Sequence, residues 1–321
     1  MRARRVALGC VIGYAVCCTA LAIFLGELAF HPQRRPLSHR ALAQAAAARF
    51  GATLQDVSLV APDGARLQAW FARPARANGS AVILLHGVAD NREGMGGYAE
   101  MFLSRGYSVL LPDSRAHGLS GGFPTYGIEE AGDVRAWYDW VEVHDRPECV
   151  FGMGESMGAA IVLQALRTTP FCAVVAESPF ATFREIACIR AGQALHVGAW
   201  VGRTVLRPAI ELAFLYGRMT RGVNLASASP EESVARSRLP ILLIHGLADD
   251  NIPAQQSEMI RARNPGNVTL WEVPNAGHCG AASAMPEEFN SRVISWFALH
   301  GSRHSLQPRI AAQSIRAYPP P

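Results

Sequence analysis

Gly154-Glu155-Ser156-Met157-Gly158 is the stretch on which the reading of this chain turns. Ahead of it, Glu148-Cys-Val-Phe-Gly-Met reads as a short buried strand, and behind it Ala159-Ala-Ile-Val-Leu-Gln-Ala-Leu-Arg is a good helix former. A serine between two glycines at a strand-to-helix turn has the G-x-S-x-G pattern of a nucleophile elbow. The tight turn strains the serine backbone, and only glycine on both flanks lets strand and helix approach so closely. The hydroxyl then stands clear of the sheet at a helix N-terminus, whose unpaired N–H groups favour a developing negative charge. A chain with 29 glycines can also produce the pentapeptide in an ordinary loop, so the surrounding pattern has to decide.

That pattern is strand and helix in alternation. Upstream, Val57-Ser-Leu-Val and Arg66-Leu-Gln-Ala-Trp-Phe-Ala-Arg flank the turn signal Pro62-Asp-Gly-Ala and read as a hairpin. Ser80-Ala-Val-Ile-Leu-Leu is apolar throughout, as a strand covered on both faces should be. It runs into His86-Gly87-Val88. Helix-like Tyr98–Ser104, strand Tyr107-Ser-Val-Leu-Leu-Pro and amphipathic Ile128–Val143 follow, and after the elbow helix comes strand Phe171-Cys-Ala-Val-Val-Ala. Residues 178–236 interrupt the rhythm with helix-like Phe183–Ala194 and Trp200–Arg218. Strand Pro240-Ile-Leu-Leu-Ile-His-Gly, helix Ala254–Arg263, strand Val268-Thr-Leu-Trp-Glu-Val and helix Pro286–Leu299 then resume it. The expectation is an α/β fold: a mostly parallel sheet with helices on both faces. The insertion forms a helical cap over the strands' C-terminal edge, where ligands bind in open α/β sheets. Residues 301–321 are polar, end in prolines and read as a disordered tail.

The N-terminus has a character of its own. Met1-Arg-Ala-Arg-Arg precedes an apolar run from Val6 to Phe30 broken only by Glu27. As a helix that run extends ~37 Å, enough for a hydrocarbon core of ~30 Å. The reading favoured is an uncleaved transmembrane signal anchor over residues 1–30, followed by a linker over 31–54. Thr19-Ala-Leu-Ala keeps signal-peptide cleavage open. Arg2, Arg4 and Arg5 argue for a cytoplasmic N-terminus and a main domain outside the cytoplasm, while Arg34, Arg35 and Arg40 on the far side weigh against it.

Composition limits the rest. With 321 residues, 50% of them hydrophobic and 17% charged, the chain has ample core. Its net charge of +4 is spread out with no basic stripe carrying interleaved aromatics, so a nucleic-acid partner is not expected. Seven cysteines, three of them in the N-terminal apolar stretch, make no disulfide framework, although a single Cys172–Cys188 bridge stays open. Neither CxxC nor clustered Cys/His spacing calls for a metal, and no cofactor is expected.

A serine hydroxyl needs a base to take its proton, and the base needs an orienting acid. For an elbow serine the chain order is Ser, then Asp or Glu, then His. After the Ile241–Ile244 strand comes His245-Gly-Leu-Ala-Asp249-Asp250-Asn-Ile-Pro, and after the Val268–Val273 strand Pro274-Asn-Ala-Gly-His278. Both loops lie at C-terminal strand ends and can converge on Ser156. Asp249 and Asp250 compete for the acid, and Glu177, after the preceding strand, is a third candidate.

At this point residues 55–300 resemble the α/β-hydrolase superfamily, whose sheet has eight strands. Members often carry HG-x-x-D-x-x-[IV]-P after this strand; His245-Gly246 and Ile252-Pro253 match it, which implies that the acid is Asp249. His86-Gly87-Val88 resembles the superfamily's oxyanion-hole loop, implying the amides of Val88 and Met157 as donors to a tetrahedral oxygen. Asp113-x-Arg115-x-His117-Gly118-x-Ser120 resembles a structural turn of the same superfamily, and His86, His117 and His245 read as buried structural histidines. Glu-Ser-Met in the elbow and the short cap look like membrane-anchored hydrolases near the prolyl-oligopeptidase-like and serine-aminopeptidase-like families. The stretch before residue 55 is too short for the β-propeller of a true oligopeptidase. The resemblance implies a serine hydrolase acting on a small-molecule ester. The alternatives are a peptidase or amidase on the same residues and, from another class, a non-catalytic membrane-anchored binding module. Cys279, next to His278, reads as incidental or as a site for inactivation.

Overall fold

The computed structural model describes residues 2–301. An eight-stranded sheet carries it, with strands β1 (Gln55–Val60), β2 (Arg66–Ala72), β3 (Ser80–Leu85), β4 (Ser108–Pro112), β5 (Cys149–Glu155), β6 (Val174–Glu177), β7 (Ile241–Gly246) and β8 (Val268–Val273). Their spatial order is β1-β2-β4-β3-β5-β6-β7-β8. β1 and β2 pair antiparallel across the Pro62-Asp63-Gly64 turn, and β2 pairs antiparallel with β4. Every later neighbour is parallel. The C-terminal ends of β3, β5, β6, β7 and β8 therefore share one edge of the sheet.

Two cores, one per face, explain why the central strands are apolar throughout. In β3 the period-two alternation sends Ala81, Ile83 and Leu85 to one side and Val82 and Leu84 to the other. The first side is covered by α4 (Glu130–His144), through Val134, Trp137 and Val141, and by α5 (Met157–Ala165). Ahead of α4 in sequence lie α1 (Arg2–Phe30), α2 (Arg40–Ala48) and α3 (Gly96–Leu103). The second face is covered by α2, α3 and the chain's last described helix, where Phe297 stacks 4.3 Å from Phe151 and 5.5 Å from Phe102 between ring centroids. The 31–54 segment is tied down: Glu93 accepts from the amides of Ser38 and His39.

Between β6 and β7 the chain forms α6 (Phe183–Ala194), α7 (Gly198–Arg203), α8 (Arg207–Arg221) and α9 (Pro230–Ala235); α10 (Gln255–Arg263), α11 (Ala281–Ala284) and α12 (Pro286–Gly301) complete the set. The single helix expected over Trp200–Arg218 is two. Pro208, in the first turn of α8, has no N–H to give and its ring would clash with the carbonyl four residues back, so the helix restarts there. Gly301 ends α12, and the rest of the expected tail lies outside the described residues.

α1 is a helix long and apolar enough to cross a membrane. Its buried residues, Cys18, Ala22, Gly26 and Phe30, recur every fourth position and form one stripe. That stripe lies on α8: a Cβ on Gly26 would sit 2.7 Å from the Tyr216 ring, and one on Gly217 2.9 Å from the Phe30 ring.

The disulfide differs from the pairing left open above. Cys149 joins Cys172, with Cα atoms 5.9 Å apart, and Cys188 is a buried free thiol. The sheet explains this. Cys172 donates its amide to the Val150 carbonyl at the start of the β5–β6 pair, whereas Cys188 rides on α6 beyond the opposite end of β6. With the two cysteines 23 positions apart in sequence, the crosslink removes roughly 3 kcal/mol of unfolded-state freedom. Replacing Cys172 by Ser is expected to lower the thermal midpoint of the chain, and reductant should shift the parent by a similar amount while leaving C172S unmoved. Differential scanning calorimetry with and without reductant checks both.

Candidate active site

Ser156 sits between β5 and α5 at φ 51°, ψ −113°, a backbone conformation that side chains other than glycine rarely adopt. Such a residue costs on the order of 1–3 kcal/mol unless its surroundings impose it. Here they do. Its amide donates to the Glu177 carbonyl at 2.8 Å, and its carbonyl accepts from Ala160 at 3.1 Å. The flanking glycines have no alternative: a Cβ on Gly158 would lie 2.1 Å from the Leu85 carbonyl oxygen, and one on Gly154 2.3 Å from the Gly158 backbone.

β7 and β8, paired in parallel, deliver Asp249 and His278 to the same edge. His278 Nε2 lies 2.9 Å from Ser156 Oγ and His278 Nδ1 2.8 Å from Asp249 Oδ2. A carboxylate only accepts, so Nδ1 carries the hydrogen and Nε2 is left to accept from the serine hydroxyl. Asp249 is buried and also accepts from the amides of Asn251 (3.0 Å) and Ile252 (2.9 Å) on Oδ1. Burial pushes its carboxyl up, but hydrogen bonds from His245, His278 and the Ile252 amide outweigh this and hold it well below the usual carboxylate range. Asp250 is exposed. Glu177 does not reach the imidazole; its oxygens are taken by the Ala281 amide (3.0 Å) and by Tyr98 (3.3 Å).

His245 is buried as expected, yet it also supports the acid. Its Nε2 faces the Ile252 carbonyl at 2.8 Å and Asp249 Oδ2 at 3.3 Å, both acceptors, so the hydrogen is on Nε2, and Nδ1 accepts from Ser257 at 2.6 Å. Spacing four residues apart in H-G-x-x-D was the available signal. His86 fixes the other loop: Nδ1 donates to the Gly87 carbonyl at 2.7 Å and Nε2 accepts from the Ser114 amide at 3.0 Å, with burial lowering its pKa. Gly87 lies against the nucleophile, since a Cβ there would be 3.5 Å from Ser156 Cβ. The amides of Val88 and of Met157, the first residue of α5, are engaged by no other described hydrogen bond. The Asp113–Ser120 turn is structural: Asp113 accepts from Arg92 and Leu119, and Arg115 grips Asp133 with two nitrogens.

A profile for the family described as alpha/beta hydrolase matches residues 82–292. The chain belongs to the alpha/beta hydrolase family. Among its relatives, the uncharacterized protein Rv2307c of Mycobacterium tuberculosis is 30% identical over 244 residues, 75% of this chain and 76% of that protein. The uncharacterized protein YqkD of Bacillus subtilis is 29% identical over 204 residues, 61% of this chain and 64% of that relative, a little under two thirds of its length. Among solved structures, the Pyrococcus furiosus esterase Pf2001 superposes with a TM-score of 0.66 at 25% identity, covering 85% of this chain and 98% of that one.

One cluster in this hydrolase escaped the reading of its sequence. Tyr98 on α3 lies 2.5 Å from the half-buried Glu155 of the elbow and 3.3 Å from the buried Glu177. One phenolic hydrogen cannot serve both carboxylates. With that hydrogen on Glu155, the second contact requires a proton on Glu177. Burial and the charge of Glu155 act in that direction, pushing Glu177 up to about 7. The cluster also holds the histidine loop, because Glu177 accepts from Ala281 and Ser178 Oγ accepts from the Cys279 amide at 3.2 Å. Burial and the neighbouring Glu155, Glu177 and Asp249 push the Cys279 thiol up and keep it protonated, which makes it a poor nucleophile and a weak target for inactivation. The expectation failed to see this cluster because Tyr98, Glu155 and Glu177 come from three elements and share no motif.

Two outcomes follow from this geometry. Gly158→Ala is expected to cost about 1–3 kcal/mol and to displace the elbow, because the Leu85 carbonyl cannot move aside; urea denaturation measures it. A carboxyl raised in the folded state stabilises fully below its unfolded pKa of ~4.3, and that contribution is lost as pH rises through the folded value. The Glu177 contribution therefore disappears between about pH 4.3 and about 7. Glu177→Gln, which keeps an acceptor for Ala281, should gain about 1–3 kcal/mol over the parent at pH 8 and lose the slope across that window, as read from denaturation midpoints at a series of pH values.

Proposed function

We propose that this chain is a serine hydrolase that cleaves carboxylic esters through an acyl-enzyme. The observation that carries the reading is the imidazole of His278 held between Ser156 Oγ and Asp249 Oδ2, at 2.9 and 2.8 Å. In this reading Ser156 Oγ attacks the ester carbonyl while His278 Nε2 takes the hydroxyl proton. Asp249 keeps the Nδ1–H tautomer and offsets the positive charge on the ring. The amides of Val88 and Met157 receive the tetrahedral oxyanion. His278 then returns the proton to the departing alcohol, and a water molecule, deprotonated by the same nitrogen, releases the acid and restores Ser156.

Ester is favoured over the amine-bearing substrate of an aminopeptidase by the state of the cap's acids. Among the cap's acids, Glu185 is engaged by Arg203 and Glu211 by Arg184, so neither is free for a substrate ammonium, while Glu231 and Glu232 sit in the first turn of α9. The likeness to an esterase structure points the same way. The apolar length of α1 supports a membrane anchor, and the Cys149–Cys172 bridge supports a main domain outside the cytoplasm, where disulfides persist.

A fluorophosphonate probe should label the parent covalently and fail to label Ser156→Ala, whose turnover of a short-chain ester should fall by roughly 10³-fold or more with the fold intact by circular dichroism. Asp249→Asn should lose roughly 10³–10⁴-fold in kcat, while Asp250→Asn stays within a few-fold. Full esterase activity in S156A, or equal losses at 249 and 250, would overturn the assignment.

A further inference from the structure

α1 does not leave the domain as a free tether. From Tyr14 to Phe30 it runs alongside α8 and parallel to it: Tyr14 donates to the Val205 carbonyl at 2.8 Å near one end, and Tyr216 donates to Glu27 at 2.5 Å at the other. The stretch left over is short. Arg2 to Gly13 rise only about 18 Å at ~1.5 Å per residue, well below the ~30 Å of a hydrocarbon core. If α1 enters a bilayer as docked here, the segment carrying α8 enters its surface layer too.

The outer surface of the cap suits that position. Leu212, Leu215 and Met219 are exposed and spaced three and four apart, which puts them on one face of α8 beside α1. Arg207, Glu211 and Arg218 fall on the adjoining face. An apolar stripe flanked by a basic-rich polar one suits a helix partly immersed at a membrane surface, where arginine heads reach the phosphates. α7 and the turn before it, also in the cap, carry further exposed apolar side chains: Trp200, 70% exposed, with Leu195 and Val197. Trp is the residue that settles best at headgroup depth. α1 carries exposed apolar side chains of its own, including Ile23, Phe24 and Leu28.

The same surface is joined rigidly to the active-site edge. A Cβ on Gly202 of α7 would be 2.0 Å from the Cys188 carbonyl of α6, so the two helices are in backbone contact. α6 in turn reaches the acid loop, with Arg190 donating to Asn251 at 2.9 Å and Gln193 to the Asp250 carbonyl at 2.7 Å. Ile186 and Ile189 of α6 pack with Ala160, one turn beyond the elbow serine, and with Ile252.

We propose that the cap face formed by Leu195, Val197, Trp200, Leu212, Leu215 and Met219 lies in the bilayer leaflet that α1 enters, and that the hydrolase takes its ester from that leaflet, a membrane amphiphile with an acyl chain. The substrate class rests on the hydrolase reading above; the membrane contact does not.

The test uses the full chain reconstituted in phosphatidylcholine vesicles containing phosphatidylglycerol. A bimane label on Met219→Cys, made with Cys10 and Cys17 replaced by Ser, should be quenched by nitroxide-bearing lipids and shielded from aqueous iodide. Quenching by iodide alone would overturn the contact, and so would crosslinking at this position between two copies of the chain. The Trp200→Glu/Met219→Glu double variant, altered only at exposed positions, should lose roughly tenfold or more in kcat/KM on an acyl ester embedded in vesicles, since two apolar side chains that leave water on contact with the bilayer are replaced by charges. It should stay within about twofold of the parent on a water-soluble short-chain ester. Equal activity on both substrates would overturn the membrane-drawn substrate. No activity of the parent on either ester would instead sink the hydrolase reading, with the quenching result still deciding the contact.

Discussion

Backbone crowding at the end of β5 is the constraint on which the site depends. The first turn of α5 presses against the Leu85 carbonyl at the end of β3 with no room for a single carbon on residue 158. The strand must therefore turn within one residue, and Ser156 takes up the whole reversal at φ 51°. The strain is supported rather than relieved: the Glu177 carbonyl holds the serine amide, and the parallel pairing of β5 with β6 holds Glu177. Because the turn is rigid, the hydroxyl needs no search to find the imidazole.

The polar groups around that turn form two systems with opposite electrostatics. Asp249 is supplied with donors from two histidines and two amides, and it stays ionised although buried. Glu155 and Glu177, at the ends of β5 and β6, have one phenol and one amide between them, and burial favours keeping a proton. The number of donors, more than depth of burial, separates a carboxylate able to orient a base from a carboxyl acting as a neutral strut beneath the elbow. Both systems meet at the His278 loop, which is fixed from one side by Asp249 and from the other by Glu177 and Ser178.

The cap joins this centre to α1. Gly192 and Gly202 let α6 and α7 meet backbone to backbone, and Gly26 and Gly217 each make room for a ring across the α1–α8 contact, so the N-terminal helix, the cap and the acid loop are packed together. The proposed membrane contact and the proposed chemistry are linked by that chain of close approaches.

Much of this was legible in residue order. Period-two splitting of wholly apolar strands, glycines around Ser156, and an acid and a histidine each following a later strand are local patterns, and local backbone sterics and burial enforce them wherever they occur. Hence the mostly parallel sheet, the elbow, and Asp249 with His278 could be read from the chain. What tertiary structure alone decided are pairings between residues with no common motif. Cys149 meets Cys172 because both open neighbouring strands, and Tyr98 meets Glu155 and Glu177 because α3 crosses the sheet just there. α1 lies on α8 because a stripe of small residues on one matches the rings of the other. Each of these depends on strand order and helix crossing, which the three-dimensional packing fixes and which leave no periodic trace in a single sequence.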